Sequence, residues 1–266
     1  MLKDNIRLIV TDLDGTLLNS AGDLDSEIID LKRKINIPIT FASGRNKYII
    51  EELVEKCEVN LPYITNNGAN IYVKGNCVWQ FSIDHKELDY VIKLLYQKRI
   101  PFLLYSKESL FYYKTQKKLD FYRSRMEGKC DIVELDIDEL VTNLEYFKLT
   151  IVNENLCMMD EICDLVNSFC KHTKMVRTEG NQYVLTHIKA NKGEALKILS
   201  ELTGIKVENM LVFGDNYNDL PMFEKAINSV VMSNASENIK QKANYITATN
   251  DENGVSKFIK KYLMNN

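Results

Sequence analysis

Short apolar runs alternate with stretches of helical periodicity in the first 80 residues and again after residue 189. Residues 6–10, 37–42 and 62–65 are apolar enough to be buried strands. Residues 24–31 repeat apolar side chains at helical spacing, with Ser26 as a candidate N-cap. Strands that alternate with helices are typical of βαβ units. The pattern therefore predicts an α/β core with a doubly wound parallel sheet.

The pattern changes near residue 82 and changes back near residue 189. Between these points the predicted strands come in pairs separated by helices, around residues 101–113 and again just before residue 188. That order is typical of an α+β module with an antiparallel sheet. We therefore predict an inserted domain at residues 83–188, and one core built from residues 1–82 and 189–266. Each part is long enough for a hydrophobic core of its own.

Composition narrows the class of protein. The chain has 266 residues, of which 45% are hydrophobic and 27% charged, and its net charge is −3. These values favour a globular protein and argue against nucleic acid as a partner. No apolar run reaches the roughly 18 residues of a membrane helix, and the first run is too short for a signal peptide. Six cysteines without a C-x-x-C pair and three scattered histidines favour a reduced cytoplasmic protein without a zinc site.

Two carboxylates follow the first predicted strand. Asp12 and Asp14 are two residues apart, and Gly15 allows a sharp turn after them. Close carboxylates repel each other unless a cation intervenes. With a divalent cation present, one can be an ionised nucleophile and the other a proton carrier. The alternative is a solvated Asp-Gly turn, whereas a calcium EF-hand loop fits poorly because Leu17 stands where that loop needs glycine.

Two further groups could bind phosphate. Ser43 and Gly44 follow the second predicted strand, where a hydroxyl and exposed backbone N–H groups can hold a phosphate. A plain helix cap is the alternative for Ser43. Lys192 opens a predicted helix, where a cation opposes the helix dipole by roughly 0.3–1 kcal/mol. A nearby anion would offset that cost, although a solvated lysine remains the alternative.

An oxygen-rich group follows the strand at residues 210–213. Asp215, Asn218 and Asp219 lie within five residues, without histidine or cysteine. Such a set of oxygen donors suits Mg²⁺. The alternative is an acidic first turn of a helix, a position that aspartate favours in any case. Because ligands of open parallel sheets bind beyond the carboxyl ends of the strands, we expect these groups to meet at one edge of the sheet.

In order along the chain, these groups resemble the signature of the haloacid dehalogenase superfamily, Asp-x-Asp-Gly-Thr, then Ser or Thr, then Lys, then Gly-Asp-x-x-Asn-Asp. The matching residues are 12–16, Ser43, Lys192 and 214–219. The insert lies where the type IIB cap of the Cof-type subfamily lies, and residues 67–69 resemble a turn of that subfamily. Ala190 and Asn191 depart from the pattern, since many relatives have a serine before the lysine.

The resemblance implies a Mg²⁺-dependent phosphatase that acts on a small phosphorylated metabolite, such as a sugar phosphate. Asp12 would attack phosphorus and form an aspartyl-phosphate. Asp14 would protonate the leaving alcohol and then activate water. The implied metal ligands are Asp12, the backbone carbonyl of Asp14, and Asp215, with Asp219 supporting them through water or hydrogen bonds. The implied phosphate-binding residues are Ser43, Gly44, Lys192 and Asn218.

Two alternatives of different class stay open. A phosphomutase of the phosphomannomutase type resembles this core and cap, and it would return phosphate to the sugar. A non-catalytic phospholigand-binding regulator would keep the fold without the chemistry. A true dehalogenase is disfavoured, because it would need neither Asp14 nor a metal. The sequence leaves the substrate and the oligomeric state undetermined.

The inserted domain contains a basic stretch. Residues 85–129 hold eleven Lys and Arg against five Asp and Glu. A solvated helix surface is one explanation. The other is that Lys117, Lys118, Arg123 and Arg125 face the cleft and attract anionic substrates.

Overall fold

The computed structural model describes residues 5–115, 120, 123, 126, 128–135, 144–178 and 180–264. The chain divides into two compact units, one of Met1–Trp79 with Asn191–Asn266 and one of Gln80–Ala190. In chain order the strands are β1 (Leu8–Thr11), β2 (Ile39–Phe41), β3 (Tyr63–Thr65), β4 (Asn70–Val73), β5 (Asn76–Gln80), β6 (Phe102–Ser106), β7 (Ser109–Tyr113), β8 (Asp131–Glu134), β9 (Tyr146–Val152), β10 (Thr173–Arg177), β11 (Gln182–His187), β12 (Met210–Gly214), β13 (Asn228–Met232) and β14 (Tyr245–Thr247).

Eight α-helices lie among the described residues. They are α1 (Ile28–Lys34), α2 (Lys47–Lys56), α3 (His85–Gln97), α4 (Leu156–Phe169), α5 (Lys192–Thr203), α6 (Leu220–Lys225), α7 (Glu237–Lys240) and α8 (Gly254–Ile259). Short 3₁₀ turns occupy Asn66–Gly68, Val207–Asn209, Tyr217–Asp219 and Asn250–Glu252, and a π turn spans Lys260–Met264. Within the described residues, no helix is both long and apolar enough to cross a bilayer.

The first unit is built on a parallel sheet, which confirms the predicted α/β core. Its five strands run in the order β14-β13-β12-β1-β2, and every neighbouring pair is parallel. Strand β1 is buried along its whole length. Its Ile9 pairs with Ile39 of β2 and with Leu211 of β12. The carboxyl ends of β1, β2 and β12 therefore lie side by side.

Two local predictions were wrong. The run at residues 62–65 does form a strand, but β3 pairs antiparallel with β4 in a separate three-stranded sheet. An isolated parallel bridge between Ala42 and Ile64 connects β3 to the chain after β2. Helix α1 begins at Ile28 with Glu27 in the N-cap position, so Ser26 is not its cap. An apolar run predicts a strand, but the partner of that strand depends on tertiary contacts.

The second unit contains the predicted antiparallel sheet with helices. Its six strands run in the order β10-β11-β9-β6-β7-β8, antiparallel except for the β7–β8 pair. The N-cap residue of helix α3 is Asp84. Its carboxylate accepts hydrogen bonds from the backbone N–H groups of Lys86 and Glu87, both at 3.0 Å. The apolar sides of α3 and α4 join the core beneath this sheet.

Three of the four basic residues that were expected to face the cleft lie outside the described residues. This holds for Lys117, Lys118 and Arg125, so their expected orientation toward a cleft stays a prediction. Arg123 is described: its side chain is half exposed and lies 3.9 Å from the carboxylate of Asp120.

Candidate active site

Three loops of the first unit begin at adjacent strand ends. Asp12 follows β1, and its backbone N–H donates to the carbonyl of Phe213 in β12 at 3.0 Å. Ser43 follows β2 by two residues, and its N–H donates to the carbonyl of Ile64 at 2.9 Å. Asp215 comes directly after β12. The parallel sheet thus brings the predicted groups to one edge, as expected for a ligand site of an open α/β sheet.

Lys192 is at the centre of the site. Its side chain is 0% exposed, and its Nζ lies 2.6 Å from Oδ1 of Asp12 and 2.6 Å from Oδ1 of Asp219. The side chain of Asn191 caps helix α5 by accepting the N–H of Glu194 at 2.9 Å, which fixes the start of the helix that carries Lys192. The solvated-lysine alternative is therefore wrong, because the ammonium is buried between two carboxylates.

Burial and the neighbouring opposite charge shift the pKa values of Asp12 and Lys192 in opposite directions. Burial raises the pKa of Asp12 well above its usual range; the Lys192 ammonium opposes this shift, and the nearby Asp219 and Asp215 add to it. For Lys192, burial alone would lower the pKa, but the carboxylates of Asp12 and Asp219 outweigh burial and raise it. The site therefore holds more negative than positive charge, and a cation would offset the excess.

Asp12, Asp215 and Asp219 form a cluster of carboxylates. One oxygen from each lies within 4.8 Å of the other two. Gly15 makes the cluster possible, since its φ is 75° and a Cβ there would lie 2.4 Å from Oδ2 of Asp215. Thr16 donates its hydroxyl to Oδ1 of Asp215 at 2.8 Å. An all-oxygen, partly buried donor set of this kind fits Mg²⁺.

Both carboxylate oxygens of Asp219 accept hydrogen bonds. Oδ1 accepts from Lys192, and Oδ2 accepts the N–H groups of Asp215 at 2.9 Å and Asn216 at 3.0 Å. These bonds fold the chain after β12 into a tight turn. Asp219 thus holds the lysine and the turn in place, in agreement with a supporting role beside a metal.

The carboxylate of Asp14 lies outside this cluster. Its side chain is 57% exposed and is held by the guanidinium of Arg45, with Nη2 at 2.5 Å from Oδ1 and Nε at 2.9 Å from Oδ2. A planar guanidinium matches a carboxylate in this two-pronged way. Sequence reasoning gave Arg45 no role, although it directly follows the Ser43-Gly44 pair. A positive charge next to a predicted phosphate-binding turn could have indicated it.

The remaining predicted phosphate-binding residues are on two loops. Ser43 is buried and its Oγ accepts the N–H of Arg45 at 3.1 Å; the side-chain cap of α2 is Asn46, so the helix-cap alternative for Ser43 is wrong. Asn218 is exposed and donates its Nδ2 to Oδ1 of Asn67 at 2.9 Å. A contact between residues 151 positions apart has no signal in sequence spacing, so sequence reasoning noted the turn at residues 67–69 but gave Asn67 no role in the site.

Known proteins resemble this chain over nearly its whole length. The family model of the haloacid dehalogenase-like hydrolases matches residues 9–259. The chain is 27% identical to the 5-amino-6-(5-phospho-D-ribitylamino)uracil phosphatase YwtE of Bacillus subtilis, over 97% of this chain and 98% of that protein. Its fold is similar to TM0651 from Thermotoga maritima, with a TM-score of 0.83, 28% identity and coverage of 96% and 97%. It is also similar to the subclass IIB sugar phosphatase BT4131, with a TM-score of 0.79, 23% identity and coverage of 96% and 98%.

The match to the family model spans nearly the whole chain, and relatives of the same length include phosphatases. Together they identify the chain as a phosphoric monoester hydrolase. The chain belongs to the haloacid dehalogenase-like hydrolase family and, within it, to the Cof-type hydrolases.

Proposed function

We propose that this enzyme is a Mg²⁺-dependent phosphatase that hydrolyses small phosphate monoesters through an aspartyl-phosphate on Asp12. The observation that carries the proposal is the buried Lys192, which bridges Asp12 and Asp219 beside Asp215 at the ends of the central strands. Burying the two carboxylates of Asp12 and Asp219 with one ammonium costs folding free energy, so a functional reason for the cluster is favoured over a stabilising one. Perturbed pKa values at such a cluster favour a catalytic role over a structural one.

In the first step, a carboxylate oxygen of Asp12 attacks phosphorus while the bond from phosphorus to the leaving oxygen breaks. Asp14 gives its proton to the leaving alcohol, so that the product leaves neutral. In the second step, Asp14 takes a proton from water, and the water oxygen attacks phosphorus. Inorganic phosphate leaves, and the carboxylate of Asp12 is restored.

The other residues stabilise charge. Lys192 faces Asp12 with a fixed ammonium, and it would neutralise phosphoryl oxygens as charge shifts during transfer. Ser43, Gly44 and Asn218 would donate hydrogen bonds to those oxygens. Asp12, Asp215 and the backbone carbonyl of Asp14 would hold Mg²⁺, which when bound supplies a Lewis acid next to the transferring group.

Arg45 has a positioning role in this proposal. Because it holds the Asp14 carboxylate in two places, it fixes where the acid–base group stands relative to Asp12. The pair is on the surface, so its contribution to stability is small, about 0–1 kcal/mol. The pair contributes to catalysis by orienting the Asp14 carboxylate.

The proposed substrate class rests on what two similar proteins are named to act on. YwtE, by its name, acts on a phosphorylated ribitylamino-uracil, and BT4131 is described as a sugar phosphatase. Both names support a small phosphorylated metabolite, and we propose sugar phosphates as the first class to test. All six cysteines are free thiols, which supports a reducing compartment, the cytoplasm, as the place of action.

The test is phosphate release across phosphorylated sugars, nucleotides and vitamin cofactors, with Mg²⁺ and after chelation. We expect Mg²⁺-dependent release from part of the panel, which chelation stops and added Mg²⁺ restores. Asp12→Asn is the control and should release none, because an amide is a poor nucleophile. Transfer between positions of a sugar without free phosphate would instead show a mutase. Release that survives exhaustive chelation would contradict the metal assignment.

A further inference from the structure

The connection between β3 and β4 has an unusual backbone. Asn66, Asn67 and Gly68 all have left-handed φ angles, of 51°, 56° and 95°. Left-handed conformations are disfavoured for residues with a Cβ, although asparagine tolerates them best. Two such residues in succession are kept only where the surrounding structure determines them, which often happens near functional sites.

The backbone of this turn contacts two of the active-site loops. The N–H of Asn67 donates to the carbonyl of Ser43 at 3.0 Å, and the N–H of Asn66 donates to the carbonyl of Arg45 at 2.9 Å. On its other side the turn packs against the start of α5, where a Cβ on Gly68 would lie 2.3 Å from the carbonyl oxygen of Asn191. The turn is therefore wedged between the Ser43 loop and the helix that carries Lys192.

The side chain of Asn67 adds a contact with a third loop. Its Oδ1 accepts the Nδ2 hydrogen of Asn218 at 2.9 Å. The same oxygen lies against Gly44, where a Cβ would be 2.9 Å away. The carboxamide of Asn67 thus touches both loops that are proposed to donate hydrogen bonds to the phosphoryl group.

The hydrogen bond with Asn67 determines which end of the Asn218 carboxamide is available to bind a phosphoryl oxygen. A carboxamide carries two N–H donors at one end and an acceptor oxygen at the other. When one N–H of the Asn218 amide donates to Asn67, the second N–H, on the same nitrogen, remains available as a donor. Without that acceptor, the amide of Asn218 could turn its oxygen toward a phosphoryl oxygen, and the two acceptors would repel each other.

We propose that Asn67 is a positioning residue for phosphate binding, which orients the Asn218 carboxamide as a donor. The inference rests on the proposed function, because that function places Asn218 at the phosphoryl group. Asn67 does not take part in bond making; it acts through Asn218.

The test compares two asparagines with left-handed backbone. Asn67→Gly removes the acceptor and keeps an allowed backbone. Asn253→Gly is the matched control, because Asn253 has the same φ of 56° and its side chain contacts Ser26 instead of the active site. Binding of inorganic phosphate to the Mg²⁺-loaded protein is measured by calorimetry, and thermal unfolding is recorded for each variant. We expect about a three- to tenfold weaker Kd for Asn67→Gly, as for one lost hydrogen bond, and a wild-type Kd for Asn253→Gly.

A double-mutant cycle separates positioning from a structural effect. If Asn67 acts through Asn218, then Asn67→Gly combined with Asn218→Ala binds phosphate no more weakly than Asn218→Ala alone. Additive losses, or a wild-type Kd in Asn67→Gly, would overturn the inference. Asn67→Asp provides a second variant, since aspartate tolerates the backbone and keeps an acceptor. We expect wild-type unfolding with weakened phosphate binding from its added charge, and an unchanged Kd would place Asn67 outside the phosphate site.

Phosphate release by the wild type from the panel of phosphorylated sugars, nucleotides and vitamin cofactors is measured in parallel. No phosphate release would overturn the proposed function, while the dependence of phosphate binding on Asn67 would still decide the inference. Release by the wild type together with unaltered phosphate binding by both Asn67 variants would overturn the inference alone.

Discussion

Replacing Lys192 by methionine removes the ammonium and keeps most of the side-chain volume. The change leaves Asp12 and Asp219 buried without the cation that lies 2.6 Å from each. Removing one partner of a buried ion pair costs about 3–5 kcal/mol. For a chain of this length each kcal/mol lowers the melting temperature by roughly 2–4 °C, so we expect a fall of about 6–20 °C at pH 7.

The matched control is Lys197→Met on the same helix. Lys197 is paired with Glu194 at 2.8 Å, but its side chain is 49% exposed. Exposed ion pairs contribute little to stability because solvent screens them, so its melting temperature should stay close to that of the wild type. Both variants are measured by calorimetry in EDTA, because bound Mg²⁺ would offset the carboxylates and hide part of the effect.

The pH dependence follows from the pKa of Asp12. Burial already raises that pKa above the unfolded value, and removal of Lys192 raises it further. A carboxyl group whose folded pKa is raised destabilises the folded state above that pKa; the penalty shrinks as pH falls below the folded pKa and is gone below the unfolded pKa. The deficit of Lys192→Met should therefore shrink as the pH is lowered from 7 toward the unfolded pKa of an aspartate. Equal melting temperatures for Lys192→Met and Lys197→Met at pH 7 would refute the buried ion network.

Three further substitutions test the surroundings of the site. Arg45→Lys keeps the charge but loses the two-pronged contact with Asp14. Since acid–base catalysis contributes about 10²–10⁴-fold to the rate, kcat should fall about tenfold or more. The unfolding temperature should stay near that of the wild type. Thr16→Val removes the hydroxyl that donates to Asp215, and Mg²⁺ affinity should fall about 10–100-fold in a metal titration; unchanged affinity would remove Asp215 from the ligand set. Gly15→Ala forces a Cβ against Asp215 at positive φ, so both melting temperature and activity should fall, and a wild-type melting temperature would contradict the close approach.

The core was predictable from sequence because its signal is local. Buried parallel strands appear as apolar runs, and the polar groups that follow residues 10, 42 and 213 mark the edge where strands end. The same reasoning placed residues 62–65 in a strand but assigned that strand to the wrong sheet, because apolar content does not specify a partner.

The contacts that the sequence did not reveal are long-range. Arg45 meets Asp14 across 31 residues, and Asn67 meets Asn218 across 151. Spacing along a chain carries no information on such pairs, which depend on how the loops fold at the sheet edge. Lys192 was different: its unfavourable position at a helix start already indicated a nearby anion.

The covalent role of Asp12 is the central claim, and an acid quench during turnover tests it most directly. The wild type is mixed with substrate and Mg²⁺, quenched in acid, digested and analysed by mass spectrometry. We predict one phosphoryl group on the peptide that contains Asp12, and its absence after all substrate is consumed. Phosphate release with no phosphoryl group on that peptide at any time, or with the group on another residue, would contradict the account.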